Sequence, residues 1–383
     1  MRTEKLRPAP LAALTTAAFI TVLTEALPAG VLPAMSADLH VGEPAMGQAV
    51  TIYAVGTALA AIPLSAATST WRRKRLLLTG IAGFALANTV TAIATQYGLT
   101  MVARFVAGVA AGVVWALLAG YARRLAPEHL QGKAIAIVMA GIPLALALGV
   151  PAGTFLGEAV GWRVTFGAIT AIAVALLGWI LATVPDFEGQ PRGERIPLLA
   201  TARIPGVTPV LFVTLVFVLA HTILYTYIAT YLDHVGLGDS ADVVLLVFGV
   251  ASVLSIWLVG AHIDRRLRVL MITATILFAV AAALLVSPGL VYVAAALWGL
   301  GFGGVPTLLQ TAAGQAAGSA ADTAQAMLVT LWNVAMAAGG VIGGVLLGVA
   351  GAGAFPWTAF VLALPVLVVV VRGFQSRVRL WVG

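Results

Sequence analysis

Apolar runs of about twenty residues recur along almost the whole chain, and they settle the fold class before any motif is read. Twelve such windows lie near 11–33, 45–67, 76–95, 98–121, 133–157, 163–184, 207–232, 242–262, 269–287, 289–313, 323–349 and 354–371. As a helix, each is long enough to cross a hydrocarbon core of about 30 Å. Of 383 residues, 61% are apolar and 9% charged, against about 25% charged in ordinary soluble domains. No soluble fold of this length hides so much apolar surface. The Ala, Leu, Val and Gly richness predicts helices, because a membrane barrel is built from short alternating strands. The expected fold is an all-α membrane protein with twelve transmembrane helices in two six-helix pseudo-symmetric bundles.

The basic residues give the windows a direction. With the amino terminus in the cytoplasm, the inner segments hold Arg2, Lys5 and Arg7; Arg72, Arg73, Lys74 and Arg75; Arg123, Arg124 and Lys133; Arg192, Arg195 and Arg203; Arg265, Arg266 and Arg268; and Arg372, Arg377 and Arg379, which is 19 of the 21 Lys and Arg. Of the remaining two, Arg163 falls outside and Arg104 within a span. The outer segments carry Asp38, Glu43, Glu158, Asp233 and Asp239 instead. This asymmetry predicts an even number of spans with both termini cytoplasmic. It also accounts for the net charge of +7 without a nucleic-acid partner.

The longest polar segment, PDFEGQPRGERIPLLATARIPG at 185–206, divides the spans six and six. The expected organisation is an N-terminal six-helix bundle at 1–184, a cytoplasmic linker at 185–206 and a C-terminal six-helix bundle at 207–383. Weak internal similarity supports a duplication. Trp162 and Trp357 are 195 residues apart, and Gly108 and Gly112 match Gly299 and Gly303 at an offset of 191. Two parallel six-helix repeats are the organisation of one large transporter class.

The chain has no cysteine, so disulfides and thiol chemistry are excluded. Arg2, Lys5 and Arg7 before an apolar run resemble a signal peptide. The run lacks a small-residue cleavage site and many spans follow, so it is expected to be the first helix, uncleaved.

Two charges stand at membrane depth. Glu25 interrupts FITVLTEALPAGVLP at 19–33. A carboxylate in hydrocarbon costs several kcal/mol, about 3 or more. Some fourteen residues into span 1, at about 1.5 Å each, it lies roughly 20 Å from the inner end, in the outer half of the membrane. A buried carboxyl can take up a proton from one side and release it to the other; a structural acid hydrogen-bonded within its bundle is the alternative. Arg104, near the outer start of span 4, is expected at similar depth. If the two meet, the arginine holds the acid ionised until substrate or a proton intervenes. Otherwise Arg104 snorkels to the outer headgroups. His221 in span 7 is the other titratable group, a proton or substrate ligand or a packing residue. Pro28 and Gly30 predict a helix loosened just beyond Glu25.

Several segments resemble the major facilitator superfamily. GAHIDRRLR at 260–268 resembles its cytoplasmic loop signature, carried by Gly260, Asp264, Arg265 and Arg266; a plain positive-inside loop is the alternative. SAATSTWRRKR at 65–75 keeps the basic residues but has Thr68 where the acid is expected. LTMVARFVAGVAAG at 99–112 resembles the span-4 signature, with Arg104, Gly108, Gly112 and Trp115 on one helical stripe. Gly149, Pro151 and Gly153 resemble, in variant form, the span-5 signature of antiporters, a helix bend linked there to export. With TEALPAGVLPAMSADL at 24–39 and GQAVTIYAVGTALAAIP at 47–63, these segments resemble the twelve-span drug:proton antiporter branch, nearest to bacterial sugar-efflux and purine-nucleoside-efflux transporters.

The resemblance implies a proton-coupled secondary transporter that exports a small organic solute (drug, sugar or nucleoside) by alternating access, with Glu25 and Arg104 coupling the proton. A proton-coupled uptake symporter is the alternative. The family's cavity-lining spans would place Tyr53, Trp115, His221, Tyr225, Gln310 and Asn333 as substrate candidates. His221 and Tyr225 share a helix face at i, i+4. The expected partners are a small-molecule substrate, the proton and the lipid bilayer, for a monomer in the bacterial cytoplasmic membrane; no cofactor or metal is expected. An enzyme is not expected, because H-E-x-x-H, G-x-S-x-G and a serine–histidine pair at helical depth are all absent. A channel would repeat a pore-lining ring by symmetry, which two broad halves do not.

Overall fold

The computed structural model describes residues 6–189 and 197–373. Arg2, Lys5, Arg192, Arg195, Arg377, Arg379 and part of the expected linker therefore lie outside the described residues, as do the side chains of Glu43, Asp239 and Asp242. The described residues are helical, with no strand among them. This is what lipid imposes: each backbone N–H and C=O must find its partner within the same segment.

The helices run in chain order: α1 (Pro8–Gly30), α2 (Glu43–Ala67), α3 (Arg73–Ile93), α4 (Tyr97–Leu125), α5 (Glu128–Val160), α6 (Trp162–Thr183), α7 (Val207–Thr226), α8 (Ala241–Leu285), α9 (Val291–Phe302), α10 (Val305–Ala317), α11 (Ala321–Ala350) and α12 (Ala354–Gly373). Ten helical stretches are long and apolar enough to cross a membrane. Two of these are double-length. At 45 residues, α8 would extend about 68 Å as one rod, twice the core thickness. Its backbone leaves helical geometry at Arg266 (φ −134°, ψ 28°). The expected loop between spans 8 and 9 is thus a one-residue kink. The other stretch, Pro288–Ala350, contains α9, α10 and α11. Dividing each in two accords with twelve spans.

The chain falls into two compact units: Met1–Leu198 with Gln325–Asn333, and Leu199–Ala324 with Val334–Gly383. Within the first, small residues bring backbones together. A Cβ on Gly108 would collide with the Tyr53 carbonyl, and one on Gly112 would lie 2.9 Å from the Thr57 oxygen. The Thr57 hydroxyl closes the α2–α4 seam by donating to the Gly108 carbonyl at 3.0 Å. Helix α5 lies along α1 in parallel register: Gly141 faces Thr15 and Phe19, Gly149 faces Phe19 and Leu23, Gly153 faces Leu27, and Gly157 faces Val31. At Ala145–Gly149 α5 widens into a π-turn just ahead of Pro151. Of the three residues at which a helix bend was expected, Gly149 closes this turn, and Pro151 and Gly153 lie in the regular helix that follows it. Gly161 (φ 97°) then ends α5 in a conformation that favours glycine.

The second unit repeats the first in detail. A Cβ on Gly299 would strike the Phe248 carbonyl, and one on Gly303 the Ser252 carbonyl. Tyr53 and Phe248 are therefore equivalent, as are Thr57 and Ser252. Helix α1 breaks at Val31 (φ −118°, ψ 16°) and α7 at Tyr227 (φ −111°, ψ 16°), each before a seven-residue helix, Leu32–Asp38 or Ile228–His234. Counting back six residues from each break reaches Glu25 and His221.

Candidate functional site

In the first unit, polar chemistry gathers around Thr24. Pro28 lies within α1. Lacking an N–H, it leaves the carbonyl four residues earlier, that of Thr24, without its helical donor. Arg104 supplies one: its Nη2 donates to the Thr24 carbonyl at 2.5 Å, with a longer contact to the Glu25 carbonyl at 3.5 Å. Its Nε donates to the Ala49 carbonyl at 3.4 Å, and its guanidinium lies 5.1 Å from the Tyr53 ring centre. Arg104 is fully buried, so it does not reach toward headgroups. The guanidinium bonds the α1 backbone rather than the Glu25 carboxylate. Glu25 is half-buried, and no ion pair between its carboxylate and Arg104 is present among the described residues. Nη1 of Arg104 is buried without a partner among the described residues.

Tyr53 is buried too, and its hydroxyl donates to the Thr21 carbonyl at 3.0 Å. Asn88 on α3 completes the node. Its Nδ2 donates to the Thr24 hydroxyl at 3.1 Å and to the Phe84 carbonyl at 2.9 Å, while its Oδ1 is buried and unpartnered among the described residues. The sequence reading passed over Asn88 because it lies in span 3, outside the spans from which the cavity candidates were drawn. Trp115 is half-buried and packs against the apolar core of the same unit.

The second unit builds aromatic chemistry at the equivalent place. Nε1–H of Trp298 donates to Nδ1 of His221 at 3.1 Å. The His221 ring lies nearly parallel to Phe302, centroids 3.4 Å apart, and stacks at wider spacing on Tyr225 and Phe248. Phe248 and Trp298 are 4.5 Å apart. His221 and Tyr225 thus come together as their i, i+4 spacing predicts. Phe248 and Phe302 escaped sequence reasoning, since a phenylalanine carries no polar atom to set it apart in an apolar span. The offset of 195 from Tyr53 to Phe248 was the available signal. Of the other candidates, Gln310 is buried on α10. Asn333, also buried, donates to the Val329 carbonyl at 2.9 Å.

The Major Facilitator Superfamily model matches residues 14–340. The chain belongs to this superfamily. It is a multi-pass membrane transporter of that family and not an enzyme. Purine ribonucleoside efflux pumps (NepI) of Shigella dysenteriae serotype 1 and Escherichia coli K12 are 27% identical to it over 329 residues, covering 84% of this chain and 83–84% of theirs. Two solved structures share the fold. One is FucP, a Major Facilitator Superfamily transporter in the outward conformation (TM-score 0.79, 14% identity, 96% of this chain and 99% of that one). The other is the human organic anion transporter MFSD10 (TETRAN) (TM-score 0.76, 16% identity, 95% and 100%).

The loop-signature residues of this superfamily member fall at the α8 kink. Gly260 is buried, Asp264 half-buried, and Arg265 and Arg266 exposed. At 65–75 no acid stands in the loop itself, but one arrives from beyond α6. Nε of Arg72 donates to Oδ2 of Asp186 at 2.5 Å, the Lys74 backbone N–H donates to Oδ1 at 3.1 Å, and the Arg73 N–H donates to the Phe187 carbonyl at 2.8 Å. Burial pushes the Asp186 carboxyl up, but the bonds from Arg72 and the Lys74 N–H together with the Arg72 charge outweigh it and hold the group below its ordinary value.

Proposed function

We propose that the chain is a proton-coupled exporter of a small organic solute, working by alternating access as a monomer in the bacterial cytoplasmic membrane, with both termini cytoplasmic. Glu25 is the group that carries the proton and Arg104 the charge that tunes it. The observation that carries this reading is the arrangement at Thr24. A carboxyl group sits within an apolar span, and the neighbouring guanidinium bonds backbone carbonyls instead of forming an ion pair with it. An ion pair would fix the acid in one charge state; a nearby but otherwise engaged cation leaves it able to exchange a proton. The π-turn and Pro151 in α5, packed on the helix that carries Glu25, supply a local irregularity in the backbone beside that acid.

Export is favoured over uptake because the curated relatives are named efflux pumps. Their printed substrate class makes purine ribonucleosides the first solutes to test, ahead of drugs and free sugars. Reconstituted into liposomes with a pH gradient, the wild type is expected to drive solute against its concentration gradient in exchange for protons. Glu25→Gln is expected to abolish this proton-driven flux while the protein remains monodisperse. Proton-driven flux at the wild-type level in Glu25→Gln removes Glu25 from the mechanism, and measurable single-channel current removes the transporter reading altogether.

A further inference from the structure

The two units place different chemistry at equivalent positions. Where the first has Glu25, Tyr53 and, four residues before the α4 glycine, Arg104, the second has His221, Phe248 and Ala295. Trp298 and Phe302, which close around His221, correspond to Ala107 and Ala111. One unit thus concentrates charge and the other concentrates rings. His221 lies at the centre of the second set. An indole N–H can only donate, so Nδ1 of His221 accepts and the neutral ring carries its hydrogen on Nε2. No hydrogen bond to Nε2 is present among the described residues. Exposure is graded across the cluster. Trp298 and Phe302 are buried, His221 and Phe248 are half-buried, and Tyr225 is 44% exposed. The buried rings form a floor that fixes the imidazole, and the open ones form a rim.

We infer that these five side chains are a ring-binding nest: the planar heteroaromatic part of the transported solute stacks on Tyr225 and Phe248, and Nε2–H of His221 donates to an acceptor on its edge. Three features carry this. Half-open aromatic faces stack on flat rings with little regard to substituents. A donor fixed in direction by Trp298 selects rings with an edge nitrogen or carbonyl oxygen, as in a purine, over hydrocarbon rings. A polar N–H at membrane depth is tolerated where it faces protein, water or a polar ligand. Saturated sugars have no π-face to stack in this nest. A nucleoside would be held by its base, with the ribose contributing less. The inference rests on the transport reading only in taking the nest's ligand to be the exported solute.

The test is equilibrium binding to the full-length protein in lipid nanodiscs with no pH gradient, using radiolabelled inosine as the probe and ribose as the ring-less control. Inosine is expected to bind and ribose not to compete. Tyr225→Ala changes an exposed side chain and is expected to leave the protein monodisperse while weakening inosine roughly 5- to 150-fold, the range for loss of one base-stacking partner. His221→Phe keeps the stack and removes the donor; it is expected to weaken inosine about three- to tenfold and to reduce the preference for inosine over indole, a flat ring with no acceptor on its edge. Unchanged inosine affinity in folded Tyr225→Ala overturns the nest, as does competition by ribose as strong as by inosine, or failure of wild type to bind any of inosine, adenosine and benzimidazole. Because binding is read without a gradient, the two readings fail separately. Tyr225-dependent binding without proton-driven flux sinks the exporter and leaves the nest. Proton-driven flux of a ring-less solute, indifferent to Tyr225→Ala, does the reverse.

Discussion

At the scale of single residues, the bond from Arg104 to the Thr24 carbonyl has an identifiable cause. Pro28 removes the N–H that would have met that carbonyl, and the oxygen is buried, so leaving it unpaired costs about 1–3 kcal/mol. A guanidinium is suited to the position because it can donate along several directions from one rigid plane. Arg104→Ala should therefore destabilise the protein, and Pro28→Ala should make that substitution less costly by restoring the backbone donor. In a double-mutant cycle read by denaturant unfolding in detergent, the expected coupling is about 1–2 kcal/mol. Equal cost of Arg104→Ala in both backgrounds would show that the arginine does not cap this carbonyl. The sequence marked Glu25 and Arg104 because a charge in an apolar run is a strong contrast. It did not show that the arginine would choose the backbone over the carboxylate. That choice depends on how α4 is rotated against α1, which no spacing within one helix records. Tyr53 shows the same limit: a tyrosine in a cavity-lining span reads as a ligand, yet here it is buried with its hydroxyl committed to Thr21.

At the scale of helices, glycine positions separate contacts that fix the fold from those that do not. Gly108, Gly299 and Gly303 each face a neighbouring backbone carbonyl, which cannot swing aside as a side-chain end can. Gly167 and Gly178 on α6 face open space. Alanine at the first three is expected to lower the melting temperature measured in detergent by several degrees or prevent folding. At Gly167 and Gly178 it is expected to be neutral or to stabilise by up to about 1 kcal/mol, because alanine is the better helix former. The opposite order would mean that the α2–α4 and α8–α9 seams are not packed through these glycines. The matched glycine pairs at an offset of 191 were visible in the chain itself, whereas the helices they seat against were not. The junction of α3 with the end of α6 makes a second prediction at this scale. A carboxyl held below its ordinary value stabilises fully above that value and loses its contribution as pH falls through the lower, folded one. The Asp186 clasp is therefore complete from about pH 5 upward. Asp186→Asn should leave the shape of the transport pH profile between about pH 5 and 8 unchanged. A profile displaced within that window would show that Asp186, not Glu25 alone, titrates in transport.

At the scale of the whole chain, the charge asymmetry and the duplicated helix breaks constrain each other. An insertion or loss of one span would move half of the arginines across the membrane, against the potential and the insertion preference that keep short basic segments inside. If the chain is two six-helix repeats, the second starts on the side where the first did, and the basic segments after spans 2 and 8 are both expected in the cytoplasm. The kink at Arg266 obeys this rule even though α8 runs through it, because Arg265, Arg266 and Arg268 stand at the turn. The location of the charges, rather than a loop of any length, thus identifies where spans 8 and 9 divide. Topology reporters can check this directly. A cytoplasm-active fluorescent fusion after Arg372, and another inserted between Arg265 and Arg266, should both be bright. A periplasm-active phosphatase fused near Gly236, between α7 and α8, should be active. Phosphatase activity at Arg372 would require an odd number of spans, and activity at Arg266 would require α8 to cross the membrane once.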